Sequence, residues 1–388
     1  MSLQLNYGNA VTGDQRFERP ELQNRLMRTL DHSAGVKMFG LRRIGKSTLR
    51  LYATEQLEKQ GRPVTAIDGQ GLQSLSDFLA RLFTAMPQGQ GFMHRALSLA
   101  TKGPAQAALE AVARGTGHED ALLSAYWQMV SAAIRKALES ETSRPILIVD
   151  EFTYLIGNLL KRPNGAEDVD KLLAAMREWR AEGMTMLLTG SIGLTALART
   201  HGVTVEHLND LQPFTVPELT AEEARDFVRQ ATQPAGKRWT EAHTEAFFAE
   251  SDVLYPCFLV RSLLQLGSDN PPEPAAFPHI FEEYVRSDLH EDFYGQFNRR
   301  FMAYKKLPSD EQAKLILPAL KAIMEAEGPV PQETLQSEPP FTRVDLAVAL
   351  GMLHEDGFIQ PRERAGGVRL WKPGSSLASG WWRRSRLA

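Results

Sequence analysis

The chain has 388 residues, 43% of them hydrophobic and 23% charged, with a net charge of −3 and a single cysteine. That length suits two or three domains with their own cores, and the charge excludes a generally basic nucleic-acid coat while allowing a local basic face. Cys257 excludes an intrachain disulfide and reads as a small core residue in a reducing compartment; the longest apolar runs fall far short of the roughly 20 residues a membrane span needs, and the N-terminal residues lack the character of a signal peptide, so a cytoplasmic protein is expected.

In chain order, residues 36–39 predict a short strand and residues 47–60 a helix, with Leu49, Tyr52, Ala53 and Leu57 at helical spacing. Between them lies Gly40-Leu41-Arg42-Arg43-Ile44-Gly45-Lys46-Ser47-Thr48, a complete G-x-x-x-x-G-K-[ST] phosphate loop. Its glycines let successive N–H groups converge on one spot, where a triphosphate sits at the positive end of the following helix. Lys46 is expected along the β- and γ-phosphates, and Ser47 on a Mg²⁺ ion.

A second strand is expected over 63–68 and an amphipathic helix over 74–86. A helical insertion, about 74–142, then precedes Pro145-Ile146-Leu147-Ile148-Val149-Asp150-Glu151. An apolar run without alternation reads as a strand buried on both faces of a parallel sheet. Its terminal carboxylates fall where open α/β sheets bind ligands: Asp150 for Mg²⁺ and Glu151 to polarise the water that attacks the γ-phosphate. A polar loop at 161–165 and a helix at 168–182 follow. The strand at 184–191 ends in Thr189-Gly190-Ser191. A hydroxyl there can sense the γ-phosphate; Ser191 is the first candidate and Thr189 the second, against ordinary turn chemistry.

The composition shifts near Pro213-Phe214-Thr215-Val216-Pro217, and the chain reads as helical to about residue 306. Thr220 and Glu223 form a capping box, and further helices are expected from Thr240 and over 258–266. Beyond residue 307 come a helix over 311–327, kinked at Pro318, a short second helix, and a third over 342–355. Two strands around a turn at Arg364–Gly367 complete a winged helix-turn-helix.

These motifs together resemble an AAA+-related ATPase, of the group that includes the archaeal and bacterial ATPase-domain proteins and the STAND NTPases. The residues that carry the resemblance are Phe17-Glu18-Arg19-Pro20-Glu21-Leu22, the phosphate loop with its double arginine, and Val149-Asp150-Glu151-Phe152. Leu188-Thr189-Gly190-Ser191 and Leu211-Gln212-Pro213-Phe214 followed by Glu222-Glu223-Ala224 continue it. The resemblance implies an α/β P-loop core with a parallel sheet (1–216), a helical lid (217–306) and a C-terminal winged helix (307–388). It also implies ATP and Mg²⁺ between core and lid, with adenine near Phe17 and Arg19. Glu18 stands where the group has glycine, and Leu254-Tyr255-Pro256 replaces a glycine-x-proline turn. Arg199 is the candidate for a trans-acting arginine, against a solvated surface arginine.

Residues 340–388 hold eight arginines or lysines against four acids, and Trp381-Trp382-Arg383-Arg384-Ser385-Arg386 interleaves aromatic and basic residues as nucleic-acid contacts do. The third helix of this module has Arg343 as its only arginine or lysine, with Asp345 and Glu355 against phosphate binding. Two readings therefore stand. One is an ATP-hydrolysing switch whose winged helix contacts the rest of the chain, a protein partner or another copy. The other is a DNA-associated ATPase that uses the winged helix on DNA. A small-molecule kinase is disfavoured, since Glu151 beside Asp150 suits water activation. The scattered histidines and lone cysteine offer no zinc cluster.

Overall fold

Strands that read as unbroken apolar runs form the middle of a parallel sheet. A computed structural model describes residues 3, 5–8, 10–86, 123, 127, 130–132, 134, 144–191, 193–232, 238–251, 253–285, 293–304, 306–336, 340–363 and 369–385. The chain divides into two units. One comprises Glu21–Phe39 and Tyr52–Phe214; the other comprises Met1–Pro20, Gly40–Leu51 and Thr215–Ala388.

The first unit holds the sheet. Strands β1 (Gly35–Phe39), β2 (Val64–Asp68), β3 (Ile146–Asp150), β4 (Thr185–Gly190) and β5 (Gln212–Pro213) lie in the order β2-β3-β4-β1-β5, and all are parallel. Registers Phe39↔Gly190 and Asp68↔Asp150 align their C-terminal ends. β3 and β4 fill the centre because every residue of β4, and all of β3 but the half-buried Asp150, is buried. The helices are α1 (Pro20–His32), α2 (Lys46–Lys59), whose first residues belong to the other unit, α3 (Leu75–Ala85), α4 (Phe152–Leu159), α5 (Gly165–Ala181) and α6 (Leu194–Arg199). Ser74 starts α3 by accepting from the Asp77 amide at 3.0 Å. Phe78, Leu82, Leu147, Phe152, Leu172 and Met176 join one core with the sheet, each fully buried side chain contributing about 1.5–3 kcal/mol. Val130 and Ile134 are buried in this core, and Trp127 packs on Trp179 at 6.0 Å. The rest of the expected helical insertion between 87 and 143 lies outside the described residues.

Gly35 shows how tightly β1 meets β4. A Cβ there would fall 2.1 Å from the Met186 carbonyl oxygen, and its φ of +146° suits glycine alone.

In the second unit, the expected caps recur. Thr220 and Glu223 exchange side-chain bonds to each other's amides at 2.8 and 3.1 Å, opening α7 (Ala221–Thr232). Thr240 precedes α8 (Glu241–Glu250), and Pro256 sits in the first turn of α9 (Pro256–Leu266), which ends at Gly267 with φ +72°. Trp239, Phe247, Phe277 and Phe281 pack between these helices. α10 (Gly295–Tyr304) follows. The helix expected over 311–327 runs as a short α segment, a wide π turn at Gln312–Ile316, and α11 (Leu317–Met324). Pro318 has no N–H to give the preceding turn, so the widening falls immediately before it.

α12 (Arg343–Glu355) starts at a capping box between Thr342 and Asp345. The expected pair of strands, β7 (Ile359–Glu363) and β8 (Arg369–Pro373), is joined by β6 (Val330–Pro331) in an antiparallel sheet of order β6-β8-β7. The turn expected at 364–367 lies outside the described residues. The C-terminal residues that interleave aromatic and basic side chains are helical. They form α13 (Ser376–Ser385), in which Trp381 is buried, stacked on Phe297 at 5.5 Å, with its indole N–H on Asn298 Oδ1 at 2.8 Å. Burial of an indole this large sets α13 against α10. Among the described residues, no helix is long and apolar enough to cross a membrane.

Candidate functional site

The phosphate loop begins at Gly40, the residue after β1, and ends in α2, whose first turn closes through a 3.0 Å bond from the Leu49 amide to the Gly45 carbonyl. Its turns need positive φ: +145° at Gly40, +65° at Arg43 and +105° at Gly45. A Cβ built at Gly40 or Gly45 meets no heavy atom within 4 Å among the described residues, so that side of the loop has room for a ligand. Leu41 and Ile44 are buried and anchor the loop. Lys46 is also buried, its ammonium donating to the carbonyls of Gly40 at 3.1 Å and Leu41 at 2.7 Å. Ser47 and Thr48 follow in the first turn of α2, whose N-terminal amides form the positive end that favours an anion.

The carboxylate half lies at the C-terminal ends of β3 and β4. Asp150 Oδ1 accepts from the Thr189 hydroxyl and, at 3.2 Å, from the Glu151 amide. Thr189 Oγ1 also lies 3.3 Å from that amide. Glu151 has φ +49° and ψ +37°, an uncommon left-handed conformation for a residue with a side chain. Ser191 Oγ donates to Glu151 Oε2 at 2.8 Å. Thr189 and Ser191 are both buried. Two adjacent carboxylates are thus each fixed by a hydroxyl two residues apart on one strand end. Such a strained residue persists only where its surroundings hold it, and such positions concentrate at functional sites.

The structure brings Asp150, Glu151, Thr189 and Ser191 together. The motif order alone did not disclose that Thr189 serves Asp150 while Ser191 serves Glu151. Among the described residues no group of three or more histidine, cysteine or acidic side chains could hold a metal ion. Mg²⁺ needs no such group: it takes few protein ligands, all hard oxygens, and keeps water and phosphate oxygens. The Asp150 carboxylate and the Ser47 hydroxyl are ligands of that class.

Phe17 meets Phe227 edge-on at 5.4 Å. Arg19 binds both carboxylate oxygens of Glu223, at 3.0 and 3.1 Å, and the carbonyls of Pro217 and Glu218 at 2.9 and 3.1 Å. It therefore ties the N-terminal segment to the start of α7. Arg199 is exposed at the end of α6.

Three contacts of the loop had no signal in the sequence. The Tyr255 phenol, in the turn before α9, donates to the Arg42 carbonyl. Leu41 lies where a Cβ on Gly357, in the turn after α12, would meet its Cγ at 2.6 Å. Arg43 and Arg261 both donate to the Tyr7 phenol.

No protein-family model matches the chain, and no curated protein does. Among solved structures, a Walker-type ATPase of Pyrococcus abyssi matches with a TM-score of 0.55 at 17% identity, over 98% of this chain and 99% of that one. The fold is that of a Walker-type P-loop ATPase. The expected mixed α/β architecture around a parallel sheet is therefore the observed one. Two weaker likenesses are the ORC2 protein of Aeropyrum pernix (TM-score 0.45, 13% identity, 99% of this chain and 98% of that one) and the RuvB Holliday junction branch migration motor of Thermotoga maritima (TM-score 0.40, 14% identity, 95% of each).

Proposed function

We propose that the chain binds Mg-ATP and hydrolyses it. Gly40 to Thr48 hold the phosphates through their amides and Lys46; Ser47 and Asp150 hold Mg²⁺, which neutralises phosphate charge when bound. Glu151 orients and deprotonates the attacking water. The observation that carries this reading is the Glu151 carboxylate, set on a left-handed residue and held by Ser191. Ser191, the expected γ-phosphate sensor, acts in this account by aiming Glu151, and Thr189 by aiming Asp150. Phosphoryl transfer asks the protein mainly for positioning and electrostatics, and these groups supply both. Hydrolysis lost in Glu151→Gln with ATP binding retained supports the reading; full activity in Lys46→Ala sinks it.

Hydrolysis serves a switch in this account. What supports this is that the phosphate loop falls in one unit with Thr215–Ala388, where Tyr255 holds Arg42 and Gly357 rests on Leu41. Nucleotide-driven movement of the loop then reaches the lid residues 217–306 and the module at 307–388, whose helices and three-stranded sheet we read as a winged helix. The exposed face of α12 carries Val344, 73% exposed, and Val348, 37% exposed. Such a face suits a protein contact better than a phosphate backbone. The DNA reading rested on the winged helix and the basic C-terminal residues; of the latter, Trp381 is buried while Arg383 and Arg384 are exposed. Duplex DNA that fails to stimulate hydrolysis at moderate salt supports the protein-coupled reading; strong stimulation favours the DNA-associated one.

A further inference from the structure

Gln296, Arg300 and Tyr304 recur every fourth residue of α10, so they stack along one side of the helix, and all three are buried. The Arg300 guanidinium donates to Gln296 Oε1 at 3.1 Å. The Gln296 carboxamide is in turn hydrogen-bonded to the Tyr255 phenol, which donates to the Arg42 carbonyl in the phosphate loop. At the other end, Arg300 Nε lies 3.8 Å from Asp356 Oδ1, and the Tyr304 hydroxyl donates to Asp356 Oδ2 at 2.6 Å. Asp356 is 2% exposed and caps α12 just before Gly357, the residue against Leu41.

The direction of each bond from Arg300 to the loop is forced. A guanidinium only donates and a main-chain carbonyl only accepts. Gln296 therefore turns its oxygen to Arg300 and its NH₂ to the Tyr255 oxygen, which leaves the phenol proton for Arg42. Hydrogen bonds that run donor to acceptor in one direction polarise each other, and they do so away from water here. The row ends on the peptide between Arg42 and Arg43. In a planar trans peptide the C=O and N–H point opposite ways, so a fixed Arg42 carbonyl also fixes the direction of the Arg43 amide. Arg43 has φ +65°, and a residue with a side chain keeps such a conformation only where its surroundings hold it.

Resting on the ATP-binding reading above, we propose that Gln296 and Arg300 are positioning residues of the phosphate loop, which with Tyr255 set the Arg42–Arg43 peptide so that the Arg43 amide faces the phosphates. Both act through the loop, without contact to the nucleotide. Asp356 holds the cation at the head of the row. The module at 307–388 therefore sets nucleotide affinity through a buried charge pair as well as through the Gly357 contact.

The test reads the affinity of the full chain for adenylyl imidodiphosphate with Mg²⁺ by calorimetry, with unfolding midpoints measured alongside. Gln296→Glu keeps the size of the side chain and adds a charge partner for Arg300. Its carboxylate only accepts, however, so the Tyr255 proton turns to it and leaves the Arg42 carbonyl. A loss of about tenfold is expected, and the same for Gln296→Met, which breaks the row without a charge. Combined with Tyr255→Phe, each should cost less than about twofold beyond Tyr255→Phe alone, because all act on one peptide. Two substitutions at Gln296 keep this cycle readable if one of them fails to fold. Asp356→Asn, or Tyr304→Phe where the first does not fold, should lose about threefold and also add nothing to Tyr255→Phe. Losses that multiply in the double variants overturn the row and leave the ATP-binding reading intact. Unchanged affinity in Tyr255→Phe or in either Gln296 variant does the same, and unchanged affinity in the Asp356 arm overturns the link to the module. A wild-type chain that binds no nucleotide overturns both readings.

Discussion

The Tyr255 phenol donates its hydrogen bond to the main-chain carbonyl of Arg42, joining the turn before α9 to the middle of the phosphate loop. Tyr255 is fully buried, and burial raises its pKa well above the ordinary phenol range, so the O–H stays a donor at any physiological pH. Tyr255→Phe keeps the ring in place and leaves the Arg42 carbonyl without this donor. The expected cost is about 1–3 kcal/mol, read by denaturant unfolding, with ATP affinity weakened as the loop loosens. Unchanged stability and affinity would show that the bond contributes nothing to the loop.

Gly357 makes the second contact with the loop. It has φ +77°, and a Cβ there would fall 2.6 Å from Leu41 Cγ. Gly357→Ala therefore meets both backbone strain and a clash, together about 2–4 kcal/mol. The double variant with Leu41→Ala should recover part of that loss, since the clash goes while the strain stays. Thermal unfolding of the two variants measures this, and no recovery would place the whole cost in the backbone.

Gly190 is constrained by Thr153. A Cβ on Gly190 would lie 2.6 Å from both Thr153 Oγ1 and Cγ2. Gly190→Ala is expected to push β4 and α4 apart, costing about 1–3 kcal/mol and misaligning Thr189 and Ser191 with their carboxylates. Turnover should fall more than stability predicts. Wild-type turnover in this variant would mean that the alignment of β4 does not matter to the chemistry.

His354 gives a pH signature. Its Nδ1 lies 3.1 Å from the Ile359 carbonyl, which can only accept, so Nδ1 carries the proton and Nε2 accepts from Thr215 Oγ1 at 3.1 Å. Burial lowers its pKa from the ordinary 6.5, and the Arg369 charge adds to this, against the opposing Ile359 bond. The unfolded chain therefore binds a proton that the folded chain refuses. Stability is full above about pH 6.5 and declines as pH falls from there toward the lowered folded value. Unfolding midpoints between pH 7.5 and 5 should show this decline, and His354→Gln should flatten it. An equal decline in the variant would assign the effect to other groups.

Much of the sheet and of the site was legible because it is local. β1, β3 and β4 are apolar runs, and the phosphate loop and Asp150-Glu151 are fixed spacings that need no tertiary knowledge. What escaped depends on distant partners. β5 is two exposed residues that pair only because Val36 and Lys37 lie beside them, and β6 is a Val-Pro pair matched to Trp371 and Leu370. Trp381 next to four polar or basic neighbours looks like a solvent-facing tail, and only the packing of Phe297 and Phe358 turns it inward. Arg19 likewise gives no local hint that Glu223, far along the chain, will take its guanidinium.

The division of labour at the carboxylates follows the same logic and can be read in kinetics. Ser191→Ala removes the hydrogen bond to Glu151; if Glu151 is the base, as proposed, kcat should fall about tenfold with little change in KM.

The measurement that bears most directly on the account is single-turnover ATP hydrolysis by Glu151→Gln beside the wild type, with ATP affinity measured on both. The account predicts that the variant binds ATP as tightly as the wild type and cleaves it at least about a hundredfold more slowly. Cleavage at the wild-type rate, with binding intact, would contradict it and take Glu151 out of the reaction.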